Sequence, residues 1–592
     1  MLRVAAAYLA VAWLLIQVAQ TVLPAFGFGA TAVRIVIVVL VIGLLPVLVF
    51  AWAFEITPEG LKRENEVDRS QSITPQTGRK LDRVIMGVLA LALGYFAIDK
   101  FVLAPQREQA ATEAARAEGR TESLVKSYGD KSIAVLPFVN MSSDKDQEYF
   151  SDGISEELLN LLAKIPKLRV ISRSSAFSYK GKDVKLAQVA KELNVAHILE
   201  GSVRKAGNKV RITAQLIEAR SDTHLWSNTW DRELDDIFAV QDEIAAAVVE
   251  QLKITLLGEA PKAKEVNPEA YSLFLQGRQL RRQNTREGFE QAITLFQQAL
   301  AIDPNYAAAW EQLGAVYSSQ AGFGMRPLAE GVRLAREAAA KALAIDPDFA
   351  PAHGGLGQIA MAFDGGLAAA ARHYEHALAL EPGNTDIIGG AGTVAANLNR
   401  LDTAIEFQQY ENTHDPLATR GHANLGLFYL GAGRLDEAIA SFRRALRLAP
   451  NFGSAHAAIG GALLMKGDAQ AGLAETQKEP EEVWRLLGMT MVYHTLGRKA
   501  DSDAEFAELT KKYRADAAYN IAYVLAWRNE RDRAFAWLDT AVTQQDPGLS
   551  EIAYQPLFAN LRDDPRWLPF LRKIGKAPEQ LAAIKFDVKV PD

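Results

Sequence analysis

The spacing of hydrophobic and polar positions changes twice along the chain, and each change predicts a different kind of element. From Val4 to Val33 no residue is charged, and Ile35 to Phe54 adds twenty more uncharged positions in a row. Runs of that length match the hydrocarbon thickness of a bilayer and exceed what a soluble core helix needs. They predict membrane spans over about 4–24 and 35–54. A third is expected over 84–104, where the apolar run Val84–Ile98 resumes at Phe101–Ala104 and Lys100 can snorkel. From 131 the runs shorten. Ile133–Leu136 and Leu168–Ser172 read as buried strands, and Gly153–Ala163 and Val184–Leu193 as helices. Three further strands, Ala196–Lys205, Lys209–Ala219 and Thr223–Asp231, precede an amphipathic helix over Ile237–Leu252. The first two of these strands meet at Gly207-Asn208, a hairpin signal. Strands alternating with helices, followed by a meander, predict a compact α/β domain over 131–258.

Beyond 268 the periodicity is helical and carries a marker. A Pro closes a short acidic or small dipeptide at 304, 347, 382, 416, 450 and 480, and three of the intervals are 34 or 35 residues. A period near 34 predicts a helical repeat array, because one helix pair cannot bury its apolar face without a neighbour. In the clearest copy, Leu425, Gly426 and Tyr429 share one helix, Ala438, Phe442 and Ala445 the next, and Pro450 stops the second after Leu448. Trp310, Leu313, Gly314 and Tyr317 give a W-x2-LG-x2-Y opening, largely repeated by Trp484, Leu487 and Gly488. This half of the chain resembles the tetratricopeptide repeat, with about seven or eight copies expected over 268–547 and a cap and tail over 548–592. Ser318–Glu330 reads as an insertion, and the polar Gln408 and Glu411 predict one distorted copy. Asn267 is expected to begin a unit that folds independently of 131–258.

The α/β segment has its own wording. Ser132 to Phe138 (SIAVLPF), Phe150 to Glu156 (FSDGISE), Val170 to Arg173 (VISR) and His197 to Val203 (HILEGSV), with Trp226 and Trp230, resemble the TolB-like amino-terminal domain. That resemblance implies a cell-envelope protein, often joined to tetratricopeptide repeats behind a membrane anchor. Some chains of this layout carry a class III adenylate cyclase or a winged-helix domain ahead of the anchor. Here the hydrophobic spans come first, and the loop Glu55–Arg83 is too short to fold into a cyclase.

That loop carries Lys62, Arg63, Arg69, Arg79, Lys80 and Arg83, whereas Leu23–Val33 carries no basic residue. The positive-inside rule then places the loop in the cytoplasm and everything after the third span, including the linker over 105–130, in the periplasm of a bacterial inner membrane. The length of the first run and the second run directly after it favour anchoring over a cleavable signal peptide. The absence of Cys from 592 residues excludes disulfides, thiol catalysis and zinc–thiolate sites. A net charge of −6 points to no nucleic-acid partner.

Candidate chemistry is sparse. Gly27 to Ala32 (GFGATA) has glycines spaced as in a dinucleotide loop but joins two hydrophobic spans, so a membrane turn fits better. His373 and His376 share a helix face but lack a third clustered ligand. The acidic set Asp231, Glu233, Asp235, Asp236, Asp242 and Glu243 has no glycine-containing ligand loop. Arg173, Ser174, Ser175, Lys180 and Lys182 offer an anion site or an ordinary solvated loop. No catalytic residue, cofactor or metal is expected. The candidate site is a protein-binding groove lined at i, i+4 and i+7 on the first helix of four repeats: Gly354, Gln358 and Met361; Ala423, Leu427 and Leu430; Ala457, Gly461 and Leu464; Arg485, Met489 and Val492. The stripe serves equally as packing surface.

The expected architecture is therefore an α/β domain plus an all-α repeat solenoid behind a three-helix transmembrane region. Its expected role is a non-catalytic interaction scaffold or envelope sensor with protein partners in the periplasm or envelope; a homo-oligomer is compatible with it. The alternative is a signalling module linked to an adenylate cyclase-type pathway through a separate cytoplasmic partner.

Overall fold

The computed structural model describes residues 131–165, 167–254 and 262–591, with Gly129 and a few positions in the first 63 residues. The three expected spans lie outside the described residues apart from isolated helical positions at 12, 40 and 43. Among the described residues no helix is long and apolar enough to cross a membrane. The linker and GFGATA also lie outside them. Residues 1–116 form one unit and 117–592 another. In the first, strands β1 (Phe54–Thr57) and β2 (Gly60–Arg63) pair antiparallel, so Phe54, expected to close the second span, opens a hairpin.

The second unit begins with a sheet ordered β5-β3-β6-β7-β8, with β4 added beside β6. Its strands are β3 (Ser132–Val135), β4 (Val139–Asn140), β5 (Arg169–Val170), β6 (His197–Ala206), β7 (Lys209–Glu218) and β8 (Thr223–Glu233). β3 runs parallel to both β5 and β6, and β6, β7 and β8 form an antiparallel meander. The expected order of parallel pairing followed by a meander holds. The turn between β6 and β7 places Gly207 at φ +60°, a left-handed conformation that costs glycine little. Helices α1 (Glu148–Ala163), α2 (Arg173–Phe177), α3 (Leu186–Leu193) and α4 (Ile237–Gln251) complete the domain. The short α2 follows a strand too brief to have predicted it.

Eight helix pairs follow. They are α5 (Pro268–Arg281) with α6 (Arg286–Ile302), α7 (Ala307–Gly322) with α8 (Leu328–Ile345), α9 (Ala350–Ala362) with α10 (Leu367–Leu380), and α11 (Thr385–Asn397) with α12 (Leu401–His414). Then come α13 (Thr419–Gly431) with α14 (Leu435–Leu448), α15 (Ala455–Met465) with α16 (Ala469–Thr476), α17 (Glu482–Thr495) with α18 (Lys499–Tyr513), and α19 (Ala518–Trp527) with α20 (Arg531–Gln544). Asn267 caps α5, accepting from the backbone N–H groups of Glu269 and Ala270, with Pro268 at the first helical position. Where two helices of a pair touch, glycine makes the room: a Cβ on Gly426 would lie 2.8 Å from the Phe442 ring. The insertion at 318–330 lengthens α7 and displaces the start of α8 to Leu328. The expected distortion near Gln408 does not occur. Gln408 is buried, yet its amide donates to Glu411 Oε2 at 2.8 Å and Asn412 Oδ1 at 3.2 Å, so α12 stays regular.

The array shares a core with the α/β domain. One hydrophobic core runs from Ile133, Phe150 and Leu158 through Ile244 and Val248 into Tyr271, Phe274, Phe296 and Leu313. A Cβ on Gly153 of α1 would lie 2.5 Å from Leu275 of α5, so the two helices meet at glycine contact. The first helix of the unit expected to begin at Asn267 buries its apolar face against the preceding domain. At the other end, 3-10 turns Pro547–Glu551 and Pro556–Leu561 and helices α21 (Trp567–Lys573) and α22 (Pro578–Ala582) cover the last repeats.

Candidate protein-binding surface

The twelve stripe residues separate by environment. Gln358 is exposed, and Gly354, Met361, Leu427, Ala457 and Arg485 are half-buried. Ala423, Leu430, Gly461, Leu464, Met489 and Val492 are buried, Leu430 at 7% and Val492 at 0% exposure. Ala423, Leu430, Leu464, Met489 and Val492 do not line an open groove, whereas a Cβ on Gly461 would meet nothing within 4 Å. Leu430 belongs to the core that holds Phe442 and Tyr554, and Leu464 touches Gly472 of its own repeat partner α16. Met361, the last position of its stripe, stays half-buried while Ala423, the first of its own, is buried, so burial follows the neighbour each residue meets rather than its place in the stripe. The half-buried remainder is the candidate surface.

Other parts of the repeat surface are occupied by the chain itself. Helix α1 reaches the first helix pair, and the segment around α2 reaches the turn between α12 and α13. On α5, Arg278 and Arg282 contact Glu156, Arg278 also pairs with Glu157 at 2.5 Å, and Arg173 Nε donates to Glu156 at 2.9 Å. Burial raises the Glu156 carboxyl, but the guanidiniums of Arg278, Arg282 and Arg173 outweigh it and hold the group below its ordinary value. Arg282 is lowered to about 10, chiefly by burial, with Arg278 and Arg173 opposing its charge and Glu156 supporting it. At the α12–α13 turn the Ser172 N–H donates to His414 O at 2.7 Å and Arg169 to Thr413 O at 2.8 Å. Ser174 and Ser175 both donate to Asp415, and the Leu417 N–H donates to Ser175 Oγ at 3.0 Å. Burial drives His414 down to about 4, so it stays neutral, with Nδ1 2.9 Å from Tyr410 O.

The candidate anion site is therefore filled from within. Arg173 holds Glu156, Ser174 and Ser175 hold Asp415, and Lys180 holds Asp152 at 2.6 Å and Glu148 at 2.8 Å. Lys182 lies over the Tyr179 ring instead. The acidic set is also structural: Asp231 accepts from Arg211 at 2.7 Å, Glu243 from the Trp230 indole at 2.5 Å, and Asp242 from the Ala263 N–H at 2.7 Å. The histidine pair does gain a neighbour. The ring of His353 of α9 lies edge-on to His376 at 4.4 Å and tilted to His373 at 6.0 Å, although among the described residues no group of three possible ligands is arranged to hold a metal.

A family profile described as the HilA/YgeH-like transcriptional regulator, second domain, matches residues 129–247. This is a different description from the TolB-like domain that the sequence phrases resemble. Profiles for a TPR repeat and a tetratricopeptide repeat match residues 286–320 and 419–452. The curated protein of Rhizobium meliloti (strain 1021) named "Putative adenylate cyclase 3" is 44% identical over 189 residues, 31% of this chain and 32% of that protein. The chain spans about a third of the length of that relative. Among solved structures, Pseudomonas aeruginosa PilF is 21% identical and matches 35% of this chain and 92% of its own, with a TM-score of 0.30. The TPR protein YrrB is 22% identical over 32% of this chain and 95% of its own, with a TM-score of 0.27. The profile matches over α6 and α7 and over the fifth helix pair identify the solenoid as one that carries tetratricopeptide repeats.

Proposed function

We propose that the chain is a membrane-anchored, non-catalytic scaffold of the bacterial envelope, with a TolB-like domain and repeat array in the periplasm that hold a protein partner. The observation that carries this reading is the run of eight helix pairs with its α/β domain docked as one body, a form suited to holding partners. The six basic residues between 62 and 83 support the orientation. A phosphatase reporter fused after Pro105 should be active and one fused at Gln71 inactive; the reverse pattern would move both soluble parts to the cytoplasm. A photo-crosslinker at Gln358 or Leu427 should capture a defined envelope protein, and the purified chain should release no cyclic AMP from ATP. Turnover by the purified chain would overturn the scaffold reading.

The second reading, a signalling module acting with a cyclase-type partner, is favoured by the name of the Rhizobium meliloti relative. It predicts altered cyclic nucleotide levels in cells lacking the chain, with no turnover by the chain alone.

A further inference from the structure

The last described residues, from Ile584 to Pro591, form no helix or strand, yet their side chains alternate. Phe586 is 3% exposed, Ile584, Val588 and Val590 are half-buried against the core of α9 to α15, and Lys585, Asp587 and Lys589 between them are exposed. A period of two is that of an extended peptide laid with one face on a surface. The repeat array grips this peptide by its backbone. Arg400, in the turn between α11 and α12, donates to the carbonyl oxygens of Phe586 at 2.8 Å and Ile584 at 2.5 Å. Glu375 of α10 accepts from the Asp587 N–H at 3.4 Å. Carbonyl groups two residues apart, bound by one fixed guanidinium fork, are read without regard to side-chain identity. Pockets at alternate positions then supply the selectivity, the division of labour by which extended peptides are recognised.

Two further features separate this contact from a permanent part of the core. Among the described residues no backbone–backbone hydrogen bond involves 585–591, and every second side chain faces solvent. Segments of this kind open locally at low free energy.

We propose that the surface around Arg400 and Glu375 is a peptide-binding site, that residues 584–590 are its resident occupant, and that a partner protein displaces them with its own extended segment. That segment carries aliphatic or aromatic side chains at alternate positions around a central aromatic one. The inference gives the scaffold reading a second, separately testable surface and does not depend on the membrane orientation or on the stripe residues.

The probe is a fluorescent peptide of the sequence IKFDVKVPD, titrated by anisotropy into the purified full-length chain. Against wild type it should bind weakly, because the tethered tail competes at millimolar effective concentration. Phe586→Asp should expel the tail and tighten peptide binding by roughly a hundredfold for a peptide of ten-micromolar intrinsic affinity. Adding Arg400→Ala to that variant should abolish the gain, and the peptide with Asp in place of its Phe should not bind either chain. No gain in the Phe586→Asp chain overturns the proposal. If that variant loses its helical circular dichroism, the second arm is a full-length chain with a protease site inserted after Ala583 and cut once folded. The cut tail should wash away and the labelled peptide replace it. A tail that stays bound and refuses exchange is a fixed strap, which also overturns the proposal.

Discussion

The two ends of the repeat array are covered by different physics. At the front, α5 is covered by a preceding domain through a shared core and a buried cluster of charges, in which Glu156 meets three arginines. At the rear, α19 is covered by a following segment through aromatic rings. Phe558 is fully buried, 5.4 Å from the Tyr519 ring, 6.2 Å from Tyr523 and 5.6 Å from Trp567. Both devices solve one problem, the unpaired apolar face that every terminal repeat presents. The charged version depends on ionisation, which pH can reach, whereas the aromatic version depends on area and shape.

The comparison breaks most sharply if the front cover is removed. A fragment over 262–592 should keep the rear pairs helical and lose protection in α5 and α6, since Tyr271 and Leu275 would face water; hydrogen exchange that protects α5 fully in the fragment would contradict the shared core. Next in size, Phe558→Ala and Leu430→Asp should each cost about 3–5 kcal/mol, the first through a cavity and the second by burying a carboxylate, read as lower urea midpoints. Glu156→Gln should weaken domain docking by about 3 kcal/mol, because three guanidiniums lose their shared partner, and hydrogen exchange in α1 and α5 should rise.

The smallest expected effect concerns Glu411, whose carboxyl burial pushes up to about 7 against the opposing hydrogen bond from Gln408, with Asp415 and Asp386 adding to the rise. A folded-state value above the ordinary one means the native chain keeps a proton that the unfolded chain releases. Stability from this group is therefore full below about pH 4.5 and falls as pH rises towards 7. Glu411→Gln should raise the Tm by roughly 2–4 °C at pH 8 and leave it unchanged at pH 4. Glu156 has the opposite sign: its lowered value stabilises above the ordinary carboxylate range and is lost as pH falls through the folded value.

The helix pairs were legible because their packing is local. Trp310, Leu313, Gly314 and Tyr317 recur in spacing for a steric reason, shown by the 3.1 Å that would separate a Gly314 Cβ from Ala335 O. The sheet was legible in its alternation and in Gly207-Asn208. Docking was not legible. Ser175 and Asp415 are 240 residues apart, no periodicity connects them, and serine beside an arginine reads equally well as solvated loop. Half of the stripe is buried because neighbouring helices cover it, which spacing along one helix does not reveal. The tail was passed over because a short alternating run at a chain end has no repeat to reinforce it.

The 240-residue span between Ser175 and Asp415 also sets an order of events during synthesis. At translation speeds of about 5–20 residues per second, Ser175 leaves the ribosome roughly 12–50 s before Asp415. Through that interval Ser174 and Ser175 lack Asp415, while α5 and α6 emerge within it and can seal the apolar side of α1. The first pair of repeats thus protects the nascent domain, and only the fourth and fifth lock its position.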